Sequence, residues 1–266
     1  KSVMGFLLAQ FLTGLASAAS LFLVASGLSL IFGVTRIVNF AHGSLYMLGA
    51  YVAWSLVGKL PVGVAGFWTS ILLASLAVGV FGVIVEVLLL RRIYQAPELF
   101  QLVATFGVVL IVQDLTLWLW GAEDKVAPRA PGLAGVVRIL GEPIPHYDLA
   151  LIVIGPAVLG ALWLLLNRTR WGTLIRAATL DREMVAALGV NQKLLFTGVF
   201  FLGACLAGLG GALQLPRRAV GLSMDRDIIA EAFVVVVIGG MGSIPGAFVA
   251  AVLIGELNAF GILVFP

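Results

Sequence analysis

An all-α, polytopic transmembrane helical bundle of about eight spans, some of them broken or half helices, is the fold this sequence predicts. Two observations carry that prediction. Hydrophobic residues make up 61% of the 266 residues and charged residues only 11%, against about 25% charged in a soluble domain. A soluble core of this size cannot hide so much apolar surface, whereas lipid solvates it. The apolar residues also fall in runs of roughly the 20 residues that cross a bilayer, separated by short polar stretches rich in glycine and proline.

Candidate spans lie at about 5–33, 41–58, 62–90, 98–120, 148–166, 192–214, 228–241 and 245–265. Each is expected to be helical, because lipid leaves backbone groups unsatisfied unless a segment bonds internally, and the runs are too long for barrel strands. The first and third are long enough to tilt or to carry an extra half-helix. Lys1, the apolar run Val3–Leu15 and Ala16-Ser17-Ala18 have the outline of a cleavable signal. The apolar character continues to Val34, which a spanning helix explains better. Pro97-Glu98 places proline and then a carboxylate at a helix start, and Gly155-Pro156 should kink the fifth span. The whole chain, 1–266, reads as a single transmembrane domain.

The net charge of +3 implies no nucleic-acid partner, since no basic run or aromatic-basic interleaving accompanies it. Cys205 is the only cysteine, which excludes an internal disulfide and a multi-cysteine metal site. His42 and His146 stand far from any carboxylate cluster, so no metal is expected. The chain has no GxxxxGK[ST]: Gly58-Lys59 is followed by Leu60, and Ala53 stands where the first glycine would be. Any ATP hydrolysis belongs to another chain. Orientation is undecided by charge. With 167–193 inside, eight basic residues (Arg36, Arg91, Arg92, Arg168, Arg170, Arg176, Arg182 and Lys193) fall inside and the other eight of the 16 outside.

Gly203, Ala207 and Gly211 repeat at four-residue spacing, as do Ala204 and Gly208, and Gly242, Gly246 and Ala250. Small residues so spaced let helix backbones pack closely in a membrane.

Two interrupted segments are candidates for a translocation pathway. In Gly27–Ala53, two apolar runs flank Arg36, Asn39, His42, Gly43 and Ser44. A broken membrane helix frees backbone groups that must face protein or a water-filled cavity, and its N-terminus favours anions. An ordinary loop with Arg36 in water is the competing reading. In Ala232–Gly246, a valine-rich run ends in Gly239, Gly240, Gly242 and Ser243, then Pro245-Gly246. This is either the second half of a transport pathway or a tight helical hairpin turn.

Ionisable residues inside spans come next. Asp114 and Glu256 lie deep, and each should face a partner or a cavity, with pairing or neutralisation favoured over a proton relay. Glu86 and Glu231 are expected near solvated interfaces. The polar stretch 167–193 carries a short amphipathic helix, with Leu174, Ala178, Val185 and Leu188 on one side and Arg176, Thr179 and Glu183 on the other. Gly189 suits its end and Asn191 the cap of the next span. Such a helix lies in the membrane interface or docks on a partner. The stretch 121–147 is a longer polar loop.

Taken together, GLSLIFGVTRIVNFAHGSLYMLGAYVA, RAATLDREMVAALGVN and AFVVVVIGGMGSIPGA resemble the permeases of the branched-chain (hydrophobic) amino acid ABC importer family. The resemblance covers essentially the whole chain and is closer to the shorter of the two permeases of the high-affinity system. It implies that Arg176–Gly189 is a cytoplasmic coupling segment in which Arg176, Asp181, Glu183, Ala186, Ala187 and Gly189 meet an ATP-binding subunit. It also implies a second permease, two ATPases that bind ATP and Mg, an extracytoplasmic binding protein, an extracytoplasmic 121–147 loop and a bacterial inner-membrane location. No cofactor is expected in this chain itself. Hydrophobic amino acids are the first-choice substrate, with urea or short amides and aromatic acids as alternatives. An ion-coupled secondary transporter using Asp114, Glu256 or His42, or a non-transporting scaffold, are rivals of other classes.

Overall fold

The computed structural model describes residues 3–264. Among them are ten helices and one small hairpin. α1 (Val3–Thr35) runs down the centre of the bundle, and α2 (His42–Val57) returns after a non-helical break. α3 (Val64–Ile93) contains a π-helical turn at Glu86–Leu90. α4 (Glu98–Trp120) follows, starting directly after Pro97 as expected. β1 (Val136–Ile139) and β2 (Glu142–Pro145) form an antiparallel hairpin within the 121–147 stretch, so the expected polar loop is partly ordered as strands. α5 (His146–Arg168) remains helical through Pro156. Two short helices, α6 (Arg170–Leu180) and α7 (Arg182–Ala187), precede α8 (Gln192–Ala212), α9 (Met224–Gly239) and α10 (Ile244–Val264).

Six of these helices are long and apolar enough to span a membrane. The expected spans at 41–58 and 228–241 are instead the 16-residue helices α2 and α9, the latter beginning earlier than expected, at Met224. Sixteen residues rise about 24 Å, short of a hydrocarbon core of about 30 Å, so neither helix alone is long enough to cross it, and the count of about eight spans is approximate. One end of the bundle carries residues 167–193, the other the β-hairpin.

α1 is apolar on every side, as a helix enclosed by others must be. α8, α10, α5 and α9 surround it. The small-residue repeats do the work their spacing predicts. On α8, Gly203 abuts the Gly27 backbone and Ile31 of α1, Gly208 meets Val78 of α3 and backs the Gly49 position of α2, and Gly211 sits against the Tyr46 carbonyl. A Cβ at Gly246 would collide with the Gly239 carbonyl, so the α9–α10 hairpin closes only on bare backbone.

Candidate functional site

α1 ends at Thr35, and Arg36 terminates it in the left-handed conformation with φ 58°, a position costly for a non-glycine residue. Its guanidinium is exposed and donates to the Thr179 carbonyl of α6 at 2.8 Å. The chain then turns back along α1 through buried Ile37 and Asn39, and α2 starts at His42. The segment is therefore a break folded back into the bundle. Asn39 Oδ1 accepts from the Ala41 amide at 3.1 Å, which holds the turn. His42 is fully buried and its Nε2 lies 3.0 Å from the Val24 carbonyl, beside the Gly27–Gly203 contact.

Asn39 Nδ2, His42 Nδ1, Ser44 Oγ and Tyr51 Oη are buried without a hydrogen-bond partner among the described residues. An unmade bond at a buried polar atom costs about 1–3 kcal/mol; Asn39, His42 and Ser44 lie at the break, while Tyr51 stands nine residues along α2, about 13 Å further on, against Trp120. Gly43 packs on the Asp225 carbonyl, which brings the start of α2 against the start of α9. Neither N-terminus has a side-chain cap. Asp225 Oδ2 accepts from Gln113 of α4 at 2.8 Å.

The second interrupted segment has a different character. Gly240 and Gly242, both at φ +88°, make the turn between α9 and α10, a backbone that only glycine adopts freely. The Gly242 amide donates to Ser29 Oγ at 3.0 Å and the Gly246 amide to Ser243 Oγ at 3.1 Å. Gly242 lies against Gly33 of α1, backbone to backbone, with Thr179 of α6 bordering both. The two expected pathway segments are thus not brought into one site. Along α1, Val24 at the His42 level and Gly33 at the Gly242 level are about 13 Å apart.

The 167–193 stretch is two helices rather than one. Asp181 ends α6 and caps α7, accepting from the Met184 amide at 2.9 Å. Ile175, Ala178 and Val185 are buried, but Leu188, expected with them, is 76% exposed. Leu180, Met184 and Leu188 are exposed instead, with Asp181, Glu183, Ala186, Ala187 and Gly189 also exposed. The end of α7 is the expected glycine stop. Gly189, at φ +80°, donates to Ala186 and Val190 to Val185, the Schellman pattern. Asn191 caps α8 through the Leu194 amide. Exposed Arg176 donates to Asn167 at 2.7 Å, and Arg182 donates to the Thr35 carbonyl at 3.3 Å.

Glu86 corrects the sequence reading most sharply. Expected at a solvated interface, it is fully buried in the π-helical turn. Its carboxylate accepts from Arg91 Nε at 3.2 Å and Nη2 at 2.9 Å, from Tyr94 Oη at 2.9 Å and from Thr197 Oγ1 of α8 at 2.9 Å. Burial, and then the Glu86 charge, push the Tyr94 phenol far above its ordinary range. A cleft of about 440 Å³ opens beside this network, with Arg92, Arg182, Glu183 and Lys193 on its walls. The signal in the sequence was the closeness of Glu86 to Arg91; nothing local pointed to Thr197.

Glu231 is half-buried and accepts from Asn258 at 3.4 Å. Both Glu256 carboxylate oxygens are buried without a partner among the described residues, pressed on the Gly14 position of α1, so of the expected pairing or neutralisation, no pairing is found among these residues. Asp114, expected to face a partner or a cavity, is exposed on the outer surface of α4.

Comparison with known proteins agrees with this architecture. The family described as branched-chain amino acid transport system / permease component matches residues 10–266. The high-affinity branched-chain amino acid transport system permease protein BraD of Pseudomonas aeruginosa is 29% identical over 97% of this chain and 87% of its own length. LivH of Escherichia coli, the corresponding high-affinity permease protein, is 26% identical over 96% of this chain and 85% of its own. The ribose import permease protein RbsC of Escherichia coli is 26% identical over 89% of this chain and 72% of its own. No solved structure matches. With the match running over nearly the whole chain and the multi-pass helical bundle to accommodate it, this protein belongs to the branched-chain amino acid transport permease family.

Proposed function

We propose that this chain is the membrane-spanning permease of an ATP-driven importer, carrying hydrophobic, branched-chain amino acids by alternating access. The observation that carries the proposal is the convergence at one end of the bundle: Thr179 of α6 borders both Gly33 and Gly242, and Arg36 and Arg182 bond across the same junction. A movement of the 167–193 segment therefore reaches both interrupted segments at once. ATP and Mg bind the partner ATPases, and this chain needs no cofactor. Leu180, Met184 and Leu188, flanked by Arg176, Asp181, Glu183, Ala186, Ala187 and Gly189, dock in a cleft of an ATP-binding subunit, which makes that end cytoplasmic.

Asn39, His42, Gly43 and Ser44 line the substrate path. Their free polar atoms and the uncapped start of α2 suit a carboxylate, and the surrounding apolar walls suit an aliphatic side chain. Gly239, Gly240, Gly242 and Ser243 bend where the path opens. A second permease, two ATPases and an extracytoplasmic binding protein complete the complex. Reversing a 1:99 population of inward and outward states takes about 5.5 kcal/mol of differential binding.

Proteoliposomes holding the full complex test the reading. Leucine, isoleucine and valine should accumulate only with ATP inside the ATPase compartment and with binding protein present. Uptake that follows a proton gradient without ATP, or that prefers ribose or urea, would sink the mechanism or the substrate assignment respectively.

A further inference from the structure

The end of the bundle opposite residues 167–193 holds a cavity of about 300 Å³, bounded by the 129–136 segment, the start of α5 and the chain that leaves α8. Arg129, Asp148 and Arg217 stand on its wall. Arg217 Nε lies 3.0 Å from Asp148 Oδ1, with the two side chains only 16% and 10% exposed. Arg217 Nη2 donates to Ser17 Oγ of α1 at 3.2 Å. Asp148 Oδ2 and Arg217 Nη1 have no partner among the described residues. Arg129 is exposed and donates only to the Ala134 carbonyl, at 3.5 Å, the outer limit for such a bond. Leu133, Val136, Tyr147 and Pro216 supply the apolar wall, and the Tyr147 hydroxyl is tied to the Leu213 carbonyl at 2.7 Å.

A tie between α5 and the chain after α8 needs only Asp148 and Arg217. Here the half-used pair shares a cavity with a second arginine and an apolar wall, the make-up of a small-molecule site. A volume of about 300 Å³ is the lower end for such sites and suits a small solute. A simple carboxylate would meet the arginines but stand beside Asp148 as a like charge. A simple amine would meet two positive charges against one negative. A free α-amino acid carries both charges on one carbon: its carboxylate suits a guanidinium and its ammonium the open Asp148 oxygen. The depth also fits. Thr35 marks the 167–193 end of α1, and Ser17 lies about 27 Å from it along the helix. Ser17 is also about 10 Å beyond Val24, the level of His42, in the outward direction.

We propose that this cavity is an outer receiving site for a free aliphatic α-amino acid in its zwitterionic form. Arg129 takes the carboxylate, Asp148 the ammonium, and Leu133, Val136 and Tyr147 the side chain. Arg217, held by Ser17, is a positioning residue that fixes Asp148 against α1. The proposal rests on the importer reading above and places the solute one step before the 36–44 break.

The experiment uses the complete complex in proteoliposomes, without ATP or binding protein, and a leucine analogue whose side chain carries a diazirine. Irradiation should label Leu133, Val136, Tyr147 or Pro216. Leucine should compete at least tenfold better than 4-methylpentanoate or 3-methylbutylamine, each of which lacks one charged contact. Arg129→Gln should lower labelling about tenfold with an unchanged unfolding temperature, since Arg129 is exposed and makes one long bond. Asp148→Asn should erase the advantage of leucine over 4-methylpentanoate, which a purely structural ion pair would not do. Labelling confined to other residues, equal competition by all three compounds, or full labelling of folded Arg129→Gln would each overturn the site. ATP-driven leucine uptake by the same wild-type complex, with binding protein restored, decides the importer reading separately. Uptake without labelling here leaves the importer without this site; labelling here without uptake keeps the site and removes the importer.

Discussion

The two interrupted segments look alike in the sequence, and the structure makes them opposites. The 36–44 segment folds back into the bundle and leaves donors and acceptors unused on Asn39, His42 and Ser44. The 239–246 segment spends its polar groups locally, with Gly242 bonded to Ser29 and Gly246 to Ser243. The first keeps buried polar atoms without partners among the described residues; the second holds two helices together and touches a third. Glycine content alone does not separate a binding break from a structural turn. What separates them is whether the polar atoms beside the break have partners.

Substitutions at each segment sharpen this contrast, from the largest expected effect to the smallest. Gly246→Leu should cost more than about 3 kcal/mol, beyond usual overpacking, because its side chain would enter the Gly239 carbonyl. A lowered unfolding temperature in detergent, with loss of folded protein, is the readout; normal stability would mean the hairpin is not rigid. Glu86→Ala should cost about 2 kcal/mol, because Tyr94 Oη loses its acceptor in a buried setting and the part-exposed Arg91 loses its partner, also seen as thermal destabilisation. Transport per folded molecule should change far less.

His42→Ala should do the reverse. The hydrogen-bond part of its stability cost is about 1 kcal/mol for the Val24 bond, to which the cavity left by the fully buried ring adds, while uptake per folded molecule at low substrate falls about tenfold, equivalent to 1.4 kcal/mol. Unchanged uptake kinetics in a well-folded His42→Ala protein would falsify the assignment of this break to the substrate path. Ser29→Ala, removing the bond to Gly242, should shift stability by about 1 kcal/mol and leave substrate affinity alone; a changed KM would show that the second segment also reaches substrate.

Much of this architecture was legible because its signals are local. Long apolar runs gave the passes, Gly189 and Asn191 marked the end of α7 and the start of α8, and small-residue spacing on α8 anticipated its contacts. The burial of Glu86 was not legible, because its acceptor sites are filled partly by Thr197, 111 residues away. The exposure of Leu180, Met184 and Leu188 is not legible from a single amphipathic helix over this stretch, because Asp181 ends one helix and caps a second, which resets which residues face out. Asp114 could not be placed because apolar residues surround α4 on all sides, which leaves periodicity with no face to report. The break at 36–41 was visible, but that it folds inward was not: an exposed Arg36 is compatible with either course.

The contact of Gly33 with Gly242 has a mechanical consequence. Most helix junctions meet through side chains, which absorb a displacement by changing rotamer before the backbone moves. Here neither residue has a side chain to yield, and Thr179 of α6 borders both. A displacement at this junction therefore moves backbone against backbone, so that α1 and the α9–α10 turn shift together or part.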